Sequence, residues 1–214
     1  MKLKALDLFC GAGGASMGLH RAGFEVTGVD IEPQPTYPFK FVRADALAFD
    51  VSGFDLVWAS PKCQFATAYR RRSNHVRPSE NMIPRVRDRL AEAGIPYVIE
   101  NVEGARSSLK DPVLLCGSMF SLDVQRHRLF ETTFPLSPPR SCGHGRWSPR
   151  FPPATNRSNL RKTVEVGVWR IPLEVQQAAM GIDWMPLASL SQAIPPAYAE
   201  WIGRAARQWI GEKG

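Results

Sequence analysis

Five short apolar runs, KALDLF, EVTGVDI, KFVRADALAF, DLVWAS and PYVIENV, occupy the first half of the chain, separated by glycine-rich turns and helical patterns such as RVRDRLAEAG. Parallel strands are buried on both faces and cannot be joined by tight hairpins, so they need this alternation of apolar run and crossover. The expectation is an α/β fold, a Rossmann-like and mostly parallel sheet flanked by helices. Gly23 and Gly94 stand where helices must stop before the next strand, the position that favours a left-handed C-cap.

Beyond Phe134 the texture changes. PLSPPRSCGHGRWSPRFPPATNRSNLRK is rich in Pro, Ser, Arg and Gly and lacks periodicity, which predicts an irregular module over residues 131–165. Residues 1–130 and 166–214 are expected to form the main domain. Near the C-terminus, IPPAYAEWIGRAARQWI places Tyr198, Trp201, Ile202, Ala205 and Trp209 roughly on one helical face.

With 214 residues, 44% of them hydrophobic, the chain can bury a core of its own. It has no run of about 18 uninterrupted apolar residues and no signal-peptide pattern, so no membrane association and a cytoplasmic location are expected. Cys10, Cys63, Cys116 and Cys142 are scattered, as reduced thiols would be. Cys142 and His144 in SCGHG lack a second ligand pair of matching spacing, so no metal is expected. A net charge of +7 favours a polyanionic partner without establishing one.

In ALDLFCGAGGASMGL an apolar strand should end at Phe9 and enter Gly11, Gly13 and Gly14. Absent side chains there permit a tight turn and close approach of a nucleotide-like ligand to a helix N-terminus. Asp30, ending the next strand, lies where a carboxylate can accept from ribose hydroxyls, and Asp45 in RADALAF is a second candidate, for an adenine edge. Each aspartate can equally be an N-cap or a turn residue. A dinucleotide-dependent oxidoreductase would carry the same turn.

DLFCGAGG, GVDIEP, RADA, SPKCQ, IENV, QRHR and SQAIPPAY follow one another in the order and approximate spacing of the cytosine C5 DNA methyltransferases. The chain resembles the compact phage-type members of that family over nearly its whole length. The resemblance implies the S-adenosylmethionine-dependent methyltransferase version of the expected fold, with residues 131–165 as a reduced target-recognition region. It implies methyl transfer to C5 of a flipped-out cytosine in double-stranded DNA, by a monomer in a bacterial or phage-infected cell. Cys63 resembles the nucleophile that adds to cytosine C6. Glu100 matches the glutamate that contacts N3 and the exocyclic amine, Asn101 the residue that holds the nucleophile loop, and Arg126 and Arg128 the arginines directed at the ring carbonyl and that loop.

For the cofactor, the resemblance implicates Phe9, Gly11, Gly13, Gly14, Asp30, Ile31, Asp45, Ala46, Pro61, Lys62, Gln192 and Ala193. For DNA the expected contacts are Gln64, Thr67, Arg70, Arg71, Arg72, Arg146, Arg150, Arg157 and Arg161, the arginines by their charge. Three departures are visible. Lys62 replaces the family's proline before the nucleophile, Gln125 is shifted by one residue relative to the arginines, and Ser191 and Gln192 replace a Gly-Asn pair. A buried Lys62 would need an anion, which motivates an alternative donor, carboxy-S-adenosylmethionine, with carboxymethyl transfer. A catalytically inactive DNA-binding relative is the other alternative.

Overall fold

The structure, a computed structural model, describes residues 2–62, 80–143 and 163–213. A seven-stranded sheet forms its centre. The strands are β1 (Lys4–Leu8), β2 (Glu25–Asp30), β3 (Lys40–Arg43), β4 (Leu56–Ala59), β5 (Tyr97–Asn101), β6 (Val113–Leu115) and β7 (Arg128–Thr132), in the order β3-β2-β1-β4-β5-β7-β6. The first five run parallel, as the apolar runs predict. β7 inserts antiparallel between β5 and β6, which brings Phe130 opposite Glu100 and Leu115 opposite Arg128. The RADALAF half of the third run is not strand: it turns at Asp45, whose carbonyl accepts the amides of Ala48 and Phe49.

The helices are α1 (Gly14–Arg21), α2 (Ile83–Ala93), α3 (Leu173–Met180), α4 (Leu187–Leu190) and α5 (Pro196–Lys213). α1 and α5 cover one face of the sheet, where Leu19, Tyr198, Ala199, Ile202 and Ala206 pack with Ala5, Trp58, Val98 and Phe130. α2 covers the other, where Ile83, Val86 and Leu90 pack with Leu6, Leu8, Val57 and Ile99. Because side chains alternate along a strand, Asp7, Ser60, Glu100 and Arg128 share the α1/α5 face with their neighbours Ala5, Trp58, Val98 and Phe130.

Gly23 and Gly94 adopt positive φ of 97° and 65° after α1 and α2, as their sequence positions predict. Gly18 lets α1 and α5 touch: a Cβ there would sit 2.2 Å from the Pro196 carbonyl oxygen. On α5, Tyr198, Ile202 and Ala206 face the core, whereas Trp201 lies at the exposed edge and donates its indole N–H to Ser137 O at 3.0 Å. β7 ends at Thr132, so the sheet runs past residue 131, where the irregular module was expected to begin.

Amphipathic reading of RVRDRLAEAG would leave Arg87 in water, yet it is buried. Its Nε and Nη2 donate to Glu131 Oε1 and Oε2 at 2.7 and 2.6 Å, and Nη2 also reaches Ser108 O at 2.6 Å. Glu131 additionally accepts from the Lys110 amide and the Tyr97 hydroxyl. The pair joins α2 to β7 and to the 3-10 helix Glu103–Ser108. Arg87→Met should therefore lower stability by about 3–5 kcal/mol, since it strands a buried carboxylate. Chemical denaturation measures this, and a loss under about 1 kcal/mol, typical of surface pairs, would contradict it.

Candidate active site

Doubly wound sheets place ligands beyond the carboxyl ends of their parallel strands, and the sequence-nominated residues within the described segments gather at that end. β1 stops at Leu8, and Phe9 enters the left-handed region at φ 59°, a strained conformation for a side chain with a Cβ. The chain then turns through Gly11 and Gly13 into α1. Gly14 must be glycine for contact, because a Cβ would lie 2.6 Å from Ile194 O in the returning C-terminal segment. Trp184 supports the same turn by donating its indole N–H to Ala12 O at 2.9 Å.

Beneath this turn lies a buried polar chain that sequence reading missed. Ser16 Oγ donates to Asp7 Oδ2 and lies 2.7 Å from the Tyr37 hydroxyl. Gly28 makes room for that hydroxyl, since a Cβ there would be 2.2 Å away. Asp7 Oδ1 is buried and has no hydrogen-bond partner among the described residues. Burial therefore outweighs the Ser16 hydrogen bonds and raises the Asp7 carboxyl from its ordinary 3.8 to about 7. A charged residue inside the apolar run KALDLF was the one signal of this chain in the sequence.

At the mouth of the turn, Asp30 is fixed by two backbone amides, Gly11 N–H to Oδ2 and Glu32 N–H to Oδ1, each at 3.0 Å. Arg43 Nε donates to Ile31 O, and the Ile31 side chain stays 54% exposed. A Cβ on Gly11 would meet nothing within 4 Å. An oriented carboxylate, an open glycine backbone, an exposed aliphatic chain and the half-buried Phe9 ring fit an adenosyl group. Asp45 Oδ1 accepts the Leu47 amide at 2.9 Å, the turn role open to any aspartate, and Ala46 is buried.

The second half of the site centres on Glu100, 7% exposed. Arg128 Nε lies 3.0 Å from Glu100 Oε1. The Ser60 hydroxyl, which accepts the Trp58 indole N–H at 3.0 Å, also hydrogen-bonds Glu100. Burial pushes the Glu100 carboxyl upward, against the opposing pull of Arg128, Ser60 and Arg126. Asn101 Nδ2 donates to Pro61 O at 3.0 Å, and Asn101 Oδ1 accepts the Val102 amide. β5 thereby grips the end of the β4 loop two residues before Cys63 in the chain.

Arg126, at φ 42°, turns its guanidinium to the C-terminal segment: Nε and Nη2 donate to Ala193 O and Ser191 O, each at 2.6 Å. Tyr198 clamps the same corner, donating its hydroxyl to Gln125 O and Arg126 O. Gln192 is exposed. So is Lys62, which corrects the sequence expectation: a solvated ammonium does not demand an anion, and the motive for a carboxylated donor disappears. Cys63, Gln64, Thr67, Arg70, Arg71, Arg72, Arg146, Arg150, Arg157 and Arg161 lie outside the described residues. Arg140 donates to Met119 O and Ser121 Oγ.

No protein-family model and no curated protein matches the chain. Solved structures similar to part of it include the following three. A prophage-encoded E. coli protein assigned as a DNA modification methyltransferase is 22% identical over 60% of this chain and 45% of its own, with a TM-score of 0.47. A triple mutant of DNMT2 from Spodoptera frugiperda is 21% identical over 63% of this chain and 52% of its own, with a TM-score of 0.43. The Dnmt2 methyltransferase of S. pombe is 20% identical over 61% and 48%, with a TM-score of 0.44. The chain spans about half the length of these structures.

Asp7 sets a pH dependence. Between about 4 and 7 the folded chain keeps a proton on Asp7 that the unfolded chain has released, so Asp7 makes stability fall as pH rises through that window. Glu100 shifts in the same direction, so the Asp7 share is isolated by difference. Asp7→Asn should flatten the fall by an amount on the order of a few kcal/mol. Urea midpoints of both proteins at several pH values measure it, and parallel curves would contradict the buried, proton-holding Asp7.

Proposed function

We propose that this chain is an S-adenosylmethionine-dependent DNA methyltransferase acting on cytosine C5, with Cys63 as its nucleophile. The observation that carries the reading is the grouping at the end of β5. Buried Glu100 pairs with Arg128, and Asn101, the next residue, holds Pro61 of SPKC. A carboxyl and a guanidinium sharing one pocket suit a ring that must gain a proton at one edge while negative charge develops at another. The order of the seven motifs supplies the chemical identity of that ring.

Cytosine C5 is a weak nucleophile. Addition of the Cys63 thiolate to C6 makes C5 enamine-like. Glu100, its carboxyl pushed upward by burial, stands where the family's glutamate meets N3, and a hydrogen bond or proton shared with N3 would offset the charge that sulfur attack sends into the ring. Arg128 keeps this carboxyl in place and offers fixed positive charge to the adduct. Arg126 acts as a positioning residue through its grip on Ser191 and Ala193. S-adenosylmethionine, when bound, supplies an electrophilic methyl group; Phe9, Gly11, Gly13, Gly14, Asp30, Ile31, Asp45, Ala46, Pro61, Lys62, Gln192 and Ala193 would hold it. After transfer to C5, a base removes the C5 proton, the C5–C6 double bond reforms and the Cys63–C6 bond breaks.

The cysteine can reach C6 only if the base leaves the stack. The duplex is then held by phosphate contacts, for which the +7 chain offers the arginines after Cys63 and those of residues 144–162. Residues 131–165 are the proposed target-recognition region, with the rest forming the catalytic domain, in a monomer of the bacterial or phage-infected cytoplasm. Among the described residues no helix is long and apolar enough to cross a membrane.

Nucleoside mass spectrometry of duplex DNA incubated with the protein and S-adenosylmethionine should reveal 5-methyldeoxycytidine. Cys63→Ser should cut the rate by about 10³-fold or more, and Glu100→Gln by about 10²–10⁴-fold. Methylation on adenine or on cytosine N4, or a Cys63→Ser variant that keeps most of the parent rate, would overturn the proposal.

A further inference from the structure

Beside the catalytic group, three residues from separate segments converge: Cys116 at the end of β6, His127 at the start of β7 and Cys142 in the loop that follows it. One ligand atom from each lies within 4.8 Å of the other two. Sequence spacing concealed this, because only Cys142 has a close neighbour of ligand type in the chain. We propose that Cys116, His127 and Cys142 bind a zinc ion.

The donor set and its geometry both favour zinc. Two sulfurs and an imidazole are the borderline-soft donors that zinc selects over hard-oxygen metals. His127 Nε2 stands 3.4 Å from Cys142 Sγ. A tetrahedral ion with zinc–sulfur and zinc–nitrogen bonds of about 2.3 and 2.0–2.1 Å puts such a pair about 3.5 Å apart. The other ring nitrogen, Nδ1, is 3.1 Å from Glu103 Oε2. A carboxylate on the far nitrogen fixes the proton there and turns the Nε2 lone pair toward the metal, the usual support of a ligating histidine. Three protein ligands leave one tetrahedral position for water or a fourth side chain.

Each ligand is held independently of the ion. The Gly117 amide donates to Gln125 O at 2.7 Å, tying the Cys116 segment to the residues before His127. Arg140 anchors the Cys142 loop to Met119 O and Ser121 Oγ. Ser118 Oγ donates to Cys116 Sγ at 3.3 Å, approaches Cys142 Sγ at 3.8 Å and accepts the Gly143 amide, which places a hydroxyl between the two sulfurs as an outer partner. A disulfide would leave His127 and Glu103 unexplained.

His127 separates Arg126 from Arg128, so the ion would pin the backbone between the arginine that holds the C-terminal segment and the one that holds Glu100. Its role is positional. The inference does not depend on the reaction proposed above, because metal content is measured without turnover.

Full-length protein without a polyhistidine tag, purified from zinc-supplemented cells, should retain about one zinc per chain by elemental mass spectrometry. Cobalt(II) exchanged into the site should show tetrahedral visible bands and a sulfur-to-metal charge-transfer band, whose intensity falls by about half in Cys142→Ser or Cys116→Ser. Cys10→Ala, which removes a buried thiol outside the cluster, should keep the full spectrum. The parent spectrum alone reports thiolate ligation should the serine variants fail to fold. Parent protein that is folded by circular dichroism yet holds no zinc and gives no cobalt spectrum would overturn the proposal, as would metal binding indifferent to both serine substitutions.

Discussion

The contact on which the rest of the site depends is the ion pair of buried Glu100 with the partly exposed Arg128. Taking the Glu100 carboxylate out of water costs several kcal/mol, and attraction to a partner seldom leaves a surplus over well-packed apolar residues. Stability alone does not explain placing the pair at the end of a sheet whose neighbouring positions are Val98 and Phe130. The pair also requires an unusual topology: only an antiparallel strand beside β5 can begin at the carboxyl end, where Glu100 lies, and present Arg128 there on the same face. Inserting β7 between β5 and β6 achieves this.

A second constraint acts through the chain's return. Residues 184–198 come back to the first turn of the fold, where Trp184 meets Ala12, Ile194 meets Gly14 and Arg126 meets Ser191 and Ala193. Glycine turn, arginine loop and C-terminal segment are therefore one mechanical unit. Besides its glycines, this unit holds two residues with left-handed backbone, Phe9 and Arg126. Strain of that kind persists only where surrounding contacts over-determine it, and here they do: Tyr198 holds the Arg126 carbonyl while the Arg126 side chain holds the opposite strand of chain.

Much of the architecture was legible because it rests on local period. Apolar runs gave the five parallel strands, and glycines marked the ends of α1 and α2. The grouping of Glu100, Asn101 and Arg128 was legible from motif order rather than from any physical pattern. What escaped depended on long-range pairing. Nothing in VLL or RLFET reveals that those strands run antiparallel, and Arg87 reads as a surface residue until Glu131 is placed beside it. Asp7 looked like an ordinary strand residue because Ser16 and Tyr37, its companions, are distant in sequence. Cys116, His127 and Cys142 were invisible for the same reason. The alternative donor presumed a buried Lys62 ammonium, whereas Lys62 is exposed.

The central claim is that a sulfur two residues beyond the Asn101-held Pro61 bonds transiently to a cytosine ring. Incubating the protein and S-adenosylmethionine with a duplex carrying 5-fluorocytosine tests this directly, since fluorine at C5 cannot leave as a proton does and the adduct cannot be released. The account predicts a denaturation-resistant protein–DNA species whose crosslinked peptide maps to Cys63. Absence of that species under conditions of methyl transfer, or a crosslink mapped to another residue, would contradict it.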